Sequence, residues 1–176
     1  MRGIVFLGEQ EVELRDFPDP QPAPREVVVA IKASGMCGSD LPPYRAPRDA
    51  FRNIIRGHEP CGDIASHGTA VSDEEAPIGR RVMVHHYSGC GECKYCRVGY
   101  SQLCLRGHLV YGANAHGGHA DYILVRPHCS SRSPTPSATR KEPPSPAAPA
   151  PPTMPCAASP SPAATRWQSS VKAQSG

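Results

Sequence analysis

The chain has 176 residues and a formal net charge of +3, and this charge is unevenly distributed. Residues 1–127 carry 14 Lys and Arg against 15 Asp and Glu, a net charge of −1, so they offer no basic face for nucleic acid. No apolar run approaches the roughly 18 residues that a membrane span needs. The first residues make a poor secretory signal, so we expect a cytoplasmic protein whose eight cysteines stay reduced.

Hydrophobic periodicity in the first 127 residues predicts short strands and little helix. Strand patterns occur, in chain order, at residues 3–7, 11–17, 26–33, 80–86 and 120–125. The first two are expected to form a hairpin across residues 8–10. Only residues 41–53 have a helical pattern, and Pro42, Pro43 and Pro47 interrupt it. We therefore predict a mainly β fold, in the form of a compact β-barrel.

Four cysteines stand close together near residue 100. Cys90, Cys93, Cys96 and Cys104 have the spacing C-x2-C-x2-C-x7-C, and residues 90–104 are called the four-cysteine lobe below. Four thiolates at this spacing suit a tetrahedral zinc ion, with Zn–S bonds of about 2.3 Å. Because four thiolates leave no open position, the site is expected to be structural rather than catalytic. Disulfides are a poorer interpretation, because cysteines at x2 spacing rarely pair well and nothing indicates an oxidising compartment.

Three further motifs accompany the four-cysteine lobe: GMCGSD at 35–40, RGHEPCGDI at 56–64 and GGHADYILV at 117–125. In this order, the four motifs resemble those of the zinc-dependent alcohol dehydrogenases of the medium-chain dehydrogenase family. The resemblance implies that residues 1–127 form a GroES-like β-barrel catalytic domain. In the family, this domain is followed by a Rossmann domain that binds NAD or NADP, and the enzyme oxidises an alcohol to a carbonyl compound.

The resemblance also implies roles for individual residues of the first two motifs. By position, Cys37 and His58 correspond to the first two ligands of the catalytic zinc ion, and a thiolate with an imidazole suits that metal. Glu59 corresponds to an exchangeable ligand or a residue just behind the ligands. Ser39 corresponds to the hydroxyl that starts the family's proton relay, and Asp40 to a residue that orients the ligands.

The sequence departs from the family pattern at one position and leaves other histidines without a role. Many members have a relay histidine five residues after the first cysteine ligand, but here that residue is Pro42, which cannot transfer a proton. We interpret His85 and His86 as part of a strand rather than as metal ligands. His116 and His119 lie in a glycine-rich turn, where we do not expect a metal site.

Residues 128–176 differ sharply in composition from the rest of the chain. Of these 49 residues, 11 are Pro, 10 are Ser and nine are Ala, and Trp167 is the one aromatic residue. A segment of this kind cannot bury enough apolar surface to offset its ordering entropy, so a disordered tail is the default prediction.

A second hypothesis is that this tail is a family continuation read in the wrong frame. If each codon is shifted back by one nucleotide, the genetic code permits ALLFPLPDALSHEEGAAISCGTGTAYHAL from His128 and DTVAVFGQGPVG over 165–176. The second string contains G-x-G-x-x-G after an apolar strand, which is the dinucleotide-binding fingerprint. Three forced codons agree with it, because those at Cys129, Pro155 and Gln168 must encode Leu, Ala and Ala. The hypothesis requires a shift near residues 125–128.

This hypothesis has consequences for activity. The third catalytic zinc ligand would be encoded out of frame over Ala147, and no G-x-G-x-x-G exists in the printed frame, so no cofactor-binding residue is assigned. We therefore predict a truncated domain that binds zinc but is inactive alone, and whose family oligomer contacts are lost. The alternative is a stand-alone zinc-binding module that scaffolds or binds a partner. The alcohol, and NAD versus NADP, are left open.

Overall fold

The computed structural model describes residues 1–48 and 53–132. The described strands, in chain order, are β1 (Arg2–Gly8), β2 (Glu11–Asp16), β3 (Val27–Gly35), β4 (Glu59–His67), β5 (Arg81–Val84), β6 (Tyr87–Ser88), β7 (Leu109–Val110), β8 (Tyr122–Val125) and β9 (Ser130–Arg132). The two described α-helices are α1 (Leu41–Arg45) and α2 (Lys94–Arg97), and neither could cross a membrane. Single 3-10 turns occur at Gly38–Asp40, Ser101–Leu103 and Pro127–Cys129.

The predicted N-terminal hairpin is confirmed. Strands β1 and β2 pair antiparallel, with Phe6 opposite Val12. The turn requires a left-handed backbone at Gly8, whose φ is +86°. A Cβ atom added at Gly8 would lie 2.5 Å from the carbonyl oxygen of Pro47, so glycine is needed here for space as well as for conformation.

The central sheet has five strands in the order β8-β3-β4-β5-β9, and every neighbouring pair is antiparallel. Strand β4 was not predicted, because Pro60 and Gly62 are residues that usually weaken a strand. Both are tolerated for local reasons. Pro60 lies outside the stretch of β4 that pairs with β5, and a Cβ at Gly62 would come within 2.0 Å of the Ala30 carbonyl oxygen.

One hydrophobic cluster fills the space against this sheet. Its buried members are Val27, Val29, Ile64, Val71, Ala76, Val82, Val84, Tyr111, Ile123, Val125 and Cys129. The alternating burial of β5 and β8 follows directly from the period of two along a strand. Each fully buried valine or isoleucine contributes about 1.5–3 kcal/mol relative to an exposed one, so this cluster is the main source of stability.

The folded unit continues past residue 127, the domain boundary that the sequence indicated. It spans Met1–Arg132, because β9 extends the sheet along β5 and Cys129 is fully buried in the core. The predicted disordered tail over 133–176 lies outside the described residues. Within the described part of the helical pattern over 41–53, α1 is the helical segment, and Pro42 and Pro43 occupy its first turn, where their missing N–H groups cost nothing.

Candidate zinc centres

The four-cysteine lobe brings its thiols together as the spacing predicted. The sulfur atoms of Cys90, Cys93, Cys96 and Cys104 all lie within 4.8 Å of one another. The Cys90 and Cys96 sulfurs are 4.0 Å apart. Four Zn–S bonds of about 2.3 Å in a tetrahedron place neighbouring sulfurs about 3.8 Å apart. The arrangement therefore fits a structural zinc ion without large movement of the chain.

Short elements and backbone N–H groups hold these thiols in place. Cys93 precedes α2, Cys96 lies within it, and Cys104 follows the 3-10 turn at Ser101–Leu103. The backbone N–H of Cys93 donates to the Cys90 sulfur at 3.4 Å, and that of Cys90 donates to the Cys104 sulfur at 3.3 Å. Such donors stabilise thiolates, which is the protonation state that zinc requires.

The protein environment affects two of these thiols in opposite directions. Hydrogen bonds from backbone groups of Cys96 and Leu105 lower the pKa of Cys93 to about 6. Desolvation by burial raises the pKa of Cys96 to about 11, and its side-chain hydrogen bonds with Cys93, Cys104 and Cys90 act in the same direction. Without a metal ion, the four thiols would therefore differ in how readily they ionise. A divalent cation would stabilise the thiolate form of all four.

A second group of donors lies where β3 ends and β4 begins. The ligand atoms of Cys37, His58 and Glu59 also lie within 4.8 Å of one another. The Cys37 sulfur is 3.2 Å from Nε2 of His58. Ligands sharing one tetrahedral zinc ion through bonds of about 2.3 Å and 2.0 Å would be about 3.5 Å apart. A thiolate, an imidazole and a carboxylate are all ordinary zinc donors, so the residues fit this metal.

Strand pairing explains why two motifs that are distant in sequence meet here. Strands β3 and β4 pair with Gly35 opposite Glu59, so the chain leaves β3 toward Cys37 beside the point where it enters β4. His58 follows Gly57, whose φ is +94°. A Cβ at Gly57 would lie 2.6 Å from Nδ1 of His119, so only glycine allows the close approach that places His58.

Asp40 connects the two principal donors. Its carboxylate accepts a hydrogen bond from the Cys37 backbone N–H at 2.9 Å through Oδ2, and Oδ1 lies 3.2 Å from Nδ1 of His58. The Asp40 side chain is almost fully buried, and the buried Arg56 lies near enough to act on it electrostatically. Burial lowers the pKa of Arg56, and the Asp40 charge opposes that effect. Asp40 therefore fixes the ring of His58 with Nε2 toward Cys37.

Ser39 lies beside the same donors, as the sequence indicated. Its hydroxyl oxygen is 2.9 Å from the Cys37 sulfur and 3.3 Å from Nε2 of His58. The side chain is exposed. Pro42 lies in the first turn of α1 and offers no group that could continue a relay.

Sequence reasoning missed two histidines near this centre. The predicted strand over 80–86 ends at Val84, so His86 lies in the connection to β6, and its ring centroid is 5.5 Å from that of His58. His119 is largely buried, Nε2 has no hydrogen-bond partner within the described residues, and burial lowers its pKa. The motif GGHADYILV contained His119, but nothing in the local pattern indicated how near β8 lies to His58.

Comparisons with known proteins agree with this arrangement. Residues 23–135 match the alcohol dehydrogenase GroES-like domain. The uncharacterized zinc-type alcohol dehydrogenase-like protein YphC of Escherichia coli is 39% identical over 135 residues, which cover 71% of this chain and 38% of that protein. The L-threonine 3-dehydrogenase of Mesorhizobium japonicum is 31% identical over 133 residues, covering 73% of this chain and 38% of that protein.

Solved structures show the same fold. Galactitol-1-phosphate dehydrogenase from Escherichia coli matches with a TM-score of 0.67 and 30% identity, covering 77% of this chain and 39% of that one. RspB from Escherichia coli, solved with NADH, matches with a TM-score of 0.66 and 30% identity, covering 76% and 38%. The chain thus spans well under half the length of these relatives. It belongs to the zinc-dependent alcohol dehydrogenases of the medium-chain family, and its folded part is their N-terminal GroES-like domain.

Proposed function

We propose that the folded domain is the catalytic domain of a zinc-dependent alcohol dehydrogenase that transfers hydride between a small alcohol and NAD or NADP. One observation carries the proposal: Cys37, His58 and Glu59 converge within 4.8 Å. The buried carboxylate of Asp40 contacts both Cys37 and His58. A purely structural module does not require such a donor set beside an exposed serine, whereas alcohol oxidation does.

The chain's own residues account for the positioning and proton-transfer parts of this chemistry. When bound, Zn²⁺ would supply the Lewis acidity that makes an alcohol hydroxyl easier to deprotonate. Asp40 keeps His58 in the tautomer that presents the Nε2 lone pair toward Cys37. The exposed hydroxyl of Ser39 is placed to accept the proton of the alcohol and pass it to water. Because Pro42 cannot take part, this relay is shorter than in many members of the family.

The four-cysteine lobe has a separate role in this proposal. Cys90, Cys93, Cys96 and Cys104 would hold a structural zinc ion that fixes residues 87–110 against the barrel. Because the four thiolates complete its coordination, this ion would not take part in the reaction.

We also propose that the residues beyond about 127, of which 128–132 still pack onto the folded unit, are an out-of-frame remnant of the family's continuation. The shifted frame permits the G-x-G-x-x-G fingerprint, and the matched regions cover only 38% of these two relatives. On this proposal, the cofactor-binding fingerprint, the third catalytic ligand and the oligomer contacts of the cofactor domain would be encoded in the shifted frame. A cytoplasmic location and a small-molecule alcohol substrate complete the proposal.

Sequencing the gene across the codons for residues 120–176 and beyond tests the frame, and two enzyme preparations test the function. Zinc-loaded 176-residue chain should show no turnover with NAD or NADP and a panel of primary alcohols, secondary alcohols, polyols and amino alcohols. The frame-corrected protein should oxidise at least one of them, and its Cys37→Ala variant should not. Turnover by the 176-residue chain would refute the proposed truncation. Inactivity of a folded, two-zinc, frame-corrected protein would count against the proposed reaction.

A further inference from the structure

The second zinc centre has three donors, which leaves its fourth position to be assigned. Structural zinc sites have four protein ligands, whereas catalytic sites have three and an open position. Within the described residues, Cys37, His58 and Glu59 are the three donors that converge. In that part of the chain, no fourth His, Cys, Asp or Glu donor atom lies within 4.8 Å of all three.

We propose that His86 supplies the fourth ligand, so that the 176-residue chain binds a second zinc ion in a closed and chemically inert site. The proposal rests on the zinc site described under the proposed function. It assigns a role to a histidine that the sequence indicated only as part of a strand.

The position of the His86 ring carries the proposal. Its centroid lies 5.5 Å from that of His58, and the ring planes make an angle of 67°. Two imidazoles on one tetrahedral zinc ion, each with a Zn–N bond of about 2.0 Å, place their ring centroids about 5 Å apart. The two rings are therefore already separated by nearly the distance that a shared ion requires.

The donor atoms of His86 are also available. Neither ring nitrogen has a hydrogen-bond partner in the part of the chain that the structure describes, and the ring lies beside the rings of His58, His85 and Tyr87. Its backbone is anchored, because the His86 carbonyl accepts a hydrogen bond from the Tyr111 N–H at 2.9 Å. The His86 nitrogens are not among the donor atoms that already lie within 4.8 Å of one another, so the proposal requires the side chain to rotate toward the ion.

No other described side chain near the site competes well for this position. The carboxylate of Asp40 is occupied by Cys37 and by the opposite edge of the His58 ring. A neutral hydroxyl such as that of Ser39 is not among the usual zinc donors, which are thiolate, imidazole and carboxylate. His86 and His119 are the remaining neighbours with a suitable donor atom, and of these two the ring of His86 is the one that contacts the His58 ring.

Metal content and metal spectra of the 176-residue chain test this assignment without any activity measurement. Wild-type protein and the His86→Phe and His85→Phe variants are purified, loaded with zinc, dialysed against a weak chelator and analysed for zinc per chain. We expect two zinc ions in the wild type and in His85→Phe, the matched control on the exposed neighbour. His86→Phe should retain one, with affinity for the second about tenfold or more weaker.

The cobalt-substituted proteins provide the second readout. A closed site in the wild type should leave the visible Co²⁺ spectrum unchanged when azide is added, whereas His86→Phe should respond because a position is open. Equal second-site affinity in wild type and His86→Phe, or a wild-type spectrum that shifts with azide, would overturn the proposal. Retention of the four-cysteine zinc shows that each variant is folded.

A Cys37→Ala variant separates this inference from the proposed function. If Cys37→Ala loses the second zinc while His86→Phe keeps it, the role of His86 is refuted and the zinc site itself stands. If Cys37→Ala keeps both zinc ions, the proposed catalytic site is refuted together with the inference.

Discussion

Asp40 and His58 form a direct polar contact behind the candidate catalytic centre, with Oδ1 of Asp40 lying 3.2 Å from Nδ1 of His58. The other carboxylate oxygen accepts the Cys37 backbone N–H at 2.9 Å. One buried carboxylate thus sets the orientation of an imidazole and of the loop that carries a thiol. Such partners tune metal affinity because they fix the tautomer and direction of the ligand.

We therefore expect Asp40→Ala to weaken zinc binding at Cys37 and His58 by about 10–100-fold. Zinc in the four-cysteine lobe should be unaffected, because Asp40 contacts none of its thiols. Zinc titration with a chromophoric competitor measures both affinities in one experiment. Asp73→Ala, which removes an exposed carboxylate, is the control and should leave both unchanged. If wild type and Asp40→Ala bind zinc at Cys37 and His58 with equal affinity, the Asp40 carboxylate does not orient His58 for metal binding.

Gly89 should be essential for the four-cysteine lobe for steric reasons. A Cβ added there would lie 2.5 Å from the Cys96 sulfur and 3.1 Å from the Ser101 carbonyl oxygen, so the thiol would have to move out of the tetrahedron. We expect Gly89→Ala to release this zinc at chelator concentrations that the wild type resists. Gly38→Ala adds the same methyl group where no atom lies within 4 Å, and it should retain the lobe zinc. Identical release curves for the two variants would contradict this prediction.

Burial in the hydrophobic cluster predicts that alanine substitution lowers the free energy of unfolding by very different amounts at two isoleucines. Ile64 is 1% exposed within the core, whereas Ile78 is 60% exposed. Ile64→Ala should lower the free energy of unfolding by about 2–5 kcal/mol, because it removes buried apolar surface and leaves a cavity. Ile78→Ala should change it by less than about 0.5 kcal/mol. Urea unfolding of the zinc-loaded protein measures both values, and similar losses for the two variants would show that the core is elsewhere.

The sequence predicted those parts of the fold that local pattern determines. The hairpin of β1 and β2, the long strand β3 and the strand β8 follow from alternation and β-branched residues. Strand β4 was missed because Pro60 lowers its local propensity, while pairing on both sides by β3 and β5 overrides that propensity. Tertiary pairing of this kind cannot be read from a single segment.

In the candidate site, too, local features were predictable from the sequence and long-range contacts were not. The four-cysteine lobe was predictable from spacing, because its donors are local in sequence. Cys37 and His58 were assigned through resemblance, and their proximity depends on the register of β3 with β4. His86 and His119 were missed as neighbours of His58, because they lie on connections whose approach depends on the complete sheet. Long-range contacts therefore decide which histidines lie around the candidate zinc site.

The pH dependence of stability should have a contribution from His67. Its Nδ1 faces the Gly68 carbonyl oxygen at 3.1 Å and Nε2 faces the Asp73 carboxylate at 2.9 Å, and these contacts raise the pKa of His67. A raised pKa in the folded state means that protonation favours folding. The contribution is complete below the unfolded pKa of about 6.5 and is lost as the pH rises through the folded value.

Proton NMR of the His67 ring during a pH titration measures this pKa directly. It should lie above that of a histidine in an unfolded peptide, and Asp73→Asn should bring it down, because the carboxylate charge that favours the imidazolium is removed. The backbone contact with Gly68 remains in that variant, so the decrease should be partial. A wild-type value at or below about 6.5 would contradict the prediction. An unchanged value in Asp73→Asn would assign the whole effect to the Gly68 carbonyl group.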